Sequence, residues 1–129
     1  MAGVILDASA VLALLRDEPG AAKVATLIDE ARISAVNYAE VVSYYAKLGS
    51  DELATARMLR ALPIAVVPAD EELALAAGML RPTTLAAGLS LGDRFCLALA
   101  KREKATAVTA DKVWKTIAAA VGVKISVIR

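Results

Sequence analysis

Histidine is absent from all 129 residues. That removes Ser-His-Asp and Cys-His nucleophile pairs, imidazole acid–base chemistry and most zinc sites. Cysteine occurs once, as Cys96, so no disulfide can close within the chain. A lone thiol inside the apolar stretch "RFCLALA" reads as a buried structural residue and fits a reducing cytoplasm. Only five aromatic residues occur: Tyr38, Tyr44, Tyr45, Phe95 and Trp114. They offer little material for a base-stacking platform. The longest uncharged span, 82–92, holds a proline and two glycines. It is far short of the roughly 20 apolar residues of a membrane helix, so no membrane association is expected. No basic segment precedes the apolar run in "MAGVILD", and no signal peptide is expected. Chemistry must therefore come from carboxylates, hydroxyls, lysine, arginine or a hard metal ion.

What is present is an aliphatic core. The chain is 58% hydrophobic and 22% charged, and its length suits a single domain over 1–129. The net charge of +1 conceals an asymmetry. Residues 1–93 hold 7 Lys/Arg against 12 Asp/Glu, a net of −5, and residues 94–129 hold 8 against 2, a net of +6. The basic C-terminal third reads either as a phosphate-facing surface or as ordinary solvated helix faces.

Apolar runs and helical spacings alternate along the chain. Strands are expected at 3–6, 32–35, 63–68, 106–109 and 124–128. Helices are expected at 8–18, 21–31, 38–49, 51–62, 71–81, 91–103 and 111–122, with a loop over 82–90. Gly49 is a plausible helix stop. Short, continuously apolar strands separated by helices imply a parallel sheet covered on both faces, a three-layer α/β/α sandwich.

"VILDASA" places Asp7 directly behind a buried run, and "TAVTADK" does much the same with Asp111. Each acid alone has an ordinary explanation. Asp7 sits at an N-cap position. "NYAE" has capping-box spacing, with Asn37 as cap and Glu40 three residues on, and "SLGD" repeats it with Ser90 and Asp93. Thr109 or Asp111 can cap the helix near 111, and Asp70 the helix after it. Together the acids say more. In doubly wound sheets ligands bind beyond the C-terminal ends of the strands, and Asp7, Glu40, Asp93 and Asp111 all map to that edge. Two like charges 4 Å apart repel by about 4 kcal/mol at an effective dielectric near 20. A helix N-terminus offsets only about 0.3–1 kcal/mol of this. Either some acids are protonated or a cation sits among them, and an all-oxygen donor set selects Mg2+ or Mn2+. Such an ion activates water for attack on a phosphodiester without histidine.

"VILDASAVLALLRDEPG", "ISAVNYAEV", "GLSLGDRFCLALA" and "VTADKVW" together resemble, in order and spacing, the PIN-domain ribonucleases, most of all the VapC-type toxins of toxin–antitoxin pairs. The likeness spans essentially the whole chain. It implies a PIN fold and an Mg2+- or Mn2+-dependent endoribonuclease. Carried over by motif, Asp7 and Asp93 would be the main metal ligands and Asp111 would complete the shell. Glu40 would position a metal or the attacking water, and Ser9 and Thr109 would orient the acids. The family also implies an RNA substrate, a homodimer and a cognate antitoxin that blocks the cleft. With few aromatics, RNA should be held by charge and shape, and Arg94, Lys112 and Lys115 are candidate contacts. Tyr38, Val41, Val42 and Tyr45 form one helical stripe, read as core packing or as a dimer or antitoxin surface. Two rival readings are a receiver-type phosphotransfer domain and a non-catalytic Mg2+-binding partner module. The first would want paired acids after the first strand, where this chain has Asp7-Ala8-Ser9.

Overall fold

The computed structural model describes residues 3–129. Five strands form one sheet: β1 (Val4–Leu6), β2 (Ala31–Ser34), β3 (Ala65–Val67), β4 (Thr106–Thr109) and β5 (Ile125–Val127). Every strand pairing is parallel, and the order is β3-β2-β1-β4-β5. Eight helices connect them: α1 (Ala8–Leu15), α2 (Ala21–Leu27), α3 (Ala35–Lys47), α4 (Glu52–Arg60), α5 (Glu71–Met79), α6 (Arg81–Thr84), α7 (Leu91–Glu103) and α8 (Ala118–Val121).

Side chains alternate faces along a strand, and here the two faces feed two cores. Ile5 and Ala107 point into a cluster with Leu73, Leu97, Leu99, Trp114 and Val121. Val4, Leu6 and Val108 point into another with Val11, Val24, Ile33 and Val41. Cys96 is fully buried, as expected of a structural thiol. The result is the expected three-layer α/β/α sandwich. Among the described residues no helix is long and apolar enough to cross a membrane.

Several boundaries differ from the sequence reading. The helix expected over 21–31 ends at Leu27 and tightens into a 3-10 turn, Ile28–Glu30, before β2. Helix α3 starts at Ala35, three residues early, because Ser34 caps it. Asn37 is therefore not the cap. Pro82 does not simply end a helix, since it lies in the first turn of α6, inside the expected loop. The missing N–H of proline costs nothing there. The helix expected over 111–122 is a 3-10 turn, Lys112–Thr116, followed by the short α8. Gly49 follows α3 with φ +91°, the left-handed backbone a helix stop requires.

The strand order decides one rival reading. A receiver-type sheet has the order 2-1-3-4-5, whereas this chain has 3-2-1-4-5. The chain winds outward from β1 to β3, then returns to the other side of β1. The strand order reverses between β1 and β4, so the ligand crevice belongs beyond the C-terminal ends of those two strands.

Candidate active site

Asp7 leaves β1 at that crevice, and Thr109 closes β4 beside it. Asp7 holds the N-cap position of α1, yet its carboxylate makes no capping hydrogen bond. Instead Ser9 Oγ donates to Asp7 Oδ2 at 2.6 Å, and Thr109 Oγ1 donates to the same oxygen at 3.0 Å. Both hydroxyls in turn accept backbone N–H groups from the turn after β4. Ala110 N–H donates to Ser9 Oγ at 3.0 Å, and Asp111 N–H to Thr109 Oγ1 at 3.1 Å. Each hydroxyl is thus oriented by the backbone to give its proton to Asp7. Among the described residues, Oδ1 of Asp7 has no protein donor.

Glu40 arrives from the first turns of α3. Asn37, fully buried, donates through Nδ2 to Glu40 Oε1 at 2.8 Å and to the Gly92 carbonyl at 2.9 Å. Its own Oδ1 accepts from Ser34 Oγ at 2.6 Å. Asn37 therefore ties the β2–α3 junction to the start of α7. Gly92 leaves room for the Glu40 carboxylate, because a Cβ there would stand 2.6 Å from Glu40 Cδ.

Asp93 shows both of its expected faces. It completes a capping box with Ser90, accepting the Ser90 N–H through Oδ2 at 2.9 Å, and it also lines the cleft. Asp111 does not line the cleft, although its charge reaches Asp93. Its carboxylate accepts the Val113 N–H at 3.0 Å and caps the 3-10 turn. Asp70 caps α5, accepting the Leu73 N–H at 2.8 Å, as the sequence suggested.

Asp7, Ser9, Glu40 and Asp93 line one open cleft of about 440 Å³, and Ser43, Tyr44 and Lys47 extend it along α3. The electrostatics report the crowding. Burial pushes the Asp7 carboxyl up from 3.8 to about 6, and the Asp93 and Glu40 charges add to the rise, against the two hydroxyl bonds. Burial also raises Asp93, and Asp111 adds to it, while the Ser90 bonds and Arg94 oppose. Glu40 is raised by burial and by Asp93, against the Asn37 bond. Asp111 is thus coupled to Asp93, and Asp93 to the other two.

The donors are all hard oxygens, one aspartate oxygen lacks a protein donor, and the acids raise one another. This chemistry fits a hard divalent cation. Among the described residues, no group of three or more acids is drawn together tightly enough to hold an ion as it stands.

Arg94 is not an exposed RNA contact. It is buried, with Nη1 3.3 Å from the Ala77 carbonyl of α5 and Nε without a partner. One residue along a helix turns the side chain by roughly 100°, so while Asp93 faces the cleft Arg94 faces α5. Lys112 and Lys115 are exposed on the turn beyond Asp111 and do not line the cleft. In the aromatic stripe, Val41 is buried in the core, and Tyr38, Val42 and Tyr45 pack half-buried against it. Gly92, Tyr44 and Lys47 are not singled out by the sequence, and Asn37 is read there only as a cap. For Tyr44 and Lys47 the signal was available, since they stand four and seven residues from Glu40 on one helix face. For Gly92 and the Asn37 side chain there was none, because their roles exist only where α3 meets α7.

A parallel α/β sheet with a carboxylate-lined crevice at its switch point defines a class of acidic, hydroxyl-braced sites. The PIN domain family matches residues 4–120, and the chain belongs to that family. Its fold is shared by solved structures of low identity. A chain of VapBC2 from Rickettsia felis, bound to a promoter DNA fragment, is 18% identical with a TM-score of 0.69, covering 98% of each chain. A toxin–antitoxin complex from Klebsiella pneumoniae gives 18% and 0.75, covering 98% of each. DNA-bound VapBC from Salmonella typhimurium gives 16% and 0.75, covering 100% of each. No curated protein sequence matches significantly.

Proposed function

We propose that this PIN-domain protein is a VapC-type toxin, an Mg2+-dependent endoribonuclease (Mn2+ being an alternative ion) held in check by a cognate antitoxin. One observation carries the reading: four acids distant in sequence are electrostatically coupled at the β1/β4 switch point, with Asp7 pinned by two backbone-oriented hydroxyls. Asp7 and Asp93 would hold the ion, with Asp111 completing the set. When bound, such an ion would polarise a phosphoryl oxygen and lower the pKa of a coordinated water.

The chain's own residues do the rest. Ser9 and Thr109 occupy Asp7 Oδ2 and leave Oδ1 without a protein donor. Glu40, held by Asn37, accepts a proton from or orients the attacking water. Asp93 uses one oxygen to hold α7 in register through its cap. The relatives that share the fold are described as VapBC or toxin–antitoxin complexes, which supports an antitoxin partner. We also propose a homodimer and an RNA substrate, both on the family resemblance.

The test is incubation of pure protein with total cellular RNA, with and without Mg2+. Cleavage should require the metal and disappear in Asp7→Asn and in Asp93→Asn. Equal cleavage by both variants would mean a contaminant or another site, and absence of cleavage by wild type under every divalent ion would overturn the reading.

A further inference from the structure

Beyond the carboxylates the cleft continues along α3, whose wall presents Glu40, Ser43, Tyr44 and Lys47. Spacings of three, four and seven residues put these side chains on one face. At 1.5 Å per residue Lys47 stands about 10 Å along the helix from Glu40. That is roughly three stacked nucleotides at about 3.4 Å each. One end of the cleft is therefore anionic and needs a cation to accept a phosphate, while the other end supplies a cation itself.

Lys47 is exposed and makes no hydrogen bond or ion pair among the described residues. Tyr44, beside it, is half-buried and held from two directions. The Tyr45 ring meets it edge-on with centroids 5.1 Å apart, and the Arg16 guanidinium lies 5.0 Å from its centroid. Arg16 is itself restrained by a 2.6 Å ion pair with Glu18. A ring fixed before the ligand arrives loses little entropy on stacking. Arg16 adds a second positive charge at this end, although Glu18 partly offsets it.

We infer that this strip of α3 is the track for single-stranded RNA leaving the scissile phosphate: Lys47 takes a backbone phosphate, and Tyr44 with Arg16 supports a neighbouring base. The inference rests on the nuclease reading above and names where its substrate lies. It also replaces Arg94, which is buried, with residues that line the cleft.

The test uses an end-labelled pool of random-sequence 30-nucleotide RNA, bound in Mg2+ to Asp7→Asn protein, which should not cut it. Affinity is measured across a KCl series. Adding Lys47→Ala should make the slope of log K against log [KCl] shallower by about 0.7, the value for one phosphate contact on a single strand. Lys47→Arg should restore the slope. Tyr44→Leu should weaken binding by about 5- to 100-fold with the slope unchanged, and Tyr44→Phe should keep the affinity. If Lys47→Ala and Tyr44→Leu both bind with the parent's affinity and slope, or if the parent does not bind the pool, the track is wrong. Cleavage of total RNA by the wild-type protein reports separately on the nuclease reading, so the two failures are distinguishable.

Discussion

Replacing Asp7 with asparagine should make the metal-free protein more stable at neutral pH. Asp7 is 5% exposed, and its carboxyl is raised from 3.8 to about 6, chiefly by burial. Between those values the folded chain holds a proton that the unfolded chain has already released. Stability therefore falls as pH rises through that window and stays lower above it. A tenfold change in proton affinity corresponds to about 1.36 kcal/mol, so ionised Asp7 costs the fold about 3 kcal/mol at pH 7. Asparagine keeps an oxygen for the Ser9 and Thr109 hydroxyls but carries no charge. In a chain of this size, about 3 kcal/mol corresponds to a Tm rise on the order of 10 °C. The assay is thermal unfolding by circular dichroism in EDTA, for wild type and Asp7→Asn, at several values from pH 4 to pH 8. The two should converge near pH 4, where Asp7 is protonated in the fold, separate between pH 4 and pH 6, and differ by a constant amount above pH 6. Mg2+ added at pH 7.5 should raise the wild-type Tm more than the variant's, since an ion bound only to the folded state stabilises it. An Asp7→Asn protein that melts at or below wild type at pH 7.5, or a difference that does not change with pH, would refute the reasoning.

Three further outcomes follow from the site. Gly92→Ala places a Cβ against the Glu40 carboxylate. RNA cleavage should drop at least tenfold while the Tm holds or rises, because alanine favours the helix by up to about 1 kcal/mol and Glu40 is a flexible side chain that can swing away. Asn37→Ala leaves buried partners unpaired at Ser34 and Gly92, and urea unfolding should show a loss of about 1–3 kcal/mol together with reduced cleavage. Arg94→Met replaces a buried guanidinium that has a partnerless Nε. Its stability should hold or rise in chemical denaturation, since burying an unpaired polar atom is costly, and its affinity for RNA should not change.

Much of the architecture was legible because it rests on local chemistry. The run "VILDASA" names a strand, its end and the start of a helix through hydrophobicity and side-chain type alone. Ser90 and Asp93 announce a capping box through spacing, and the structure contains it. The boundaries of α3 and of the 111–122 region differ from the sequence reading for a related reason. Ser34 and Asn37 are both good caps by type, and choosing between them depends on where β2 stops pairing with β1 and β3. Whether 112–116 winds as an α-helix or as a 3-10 turn depends on how Trp114 is buried, which lies outside local propensity.

From its sequence alone this chain's layering, its parallel strands and the identity of its four acids can be read, because period, residue type and the absence of histidine and paired cysteine are properties of neighbouring positions. Only the tertiary structure decided that Arg94 turns inward to α5, that Asn37 is a strut between α3 and α7, and that Tyr44 and Lys47 share the cleft with Asp7. Those relations join residues up to 55 positions apart. They are set by how closely helices pack against a sheet and by where the strand order reverses, and no local pattern encodes either.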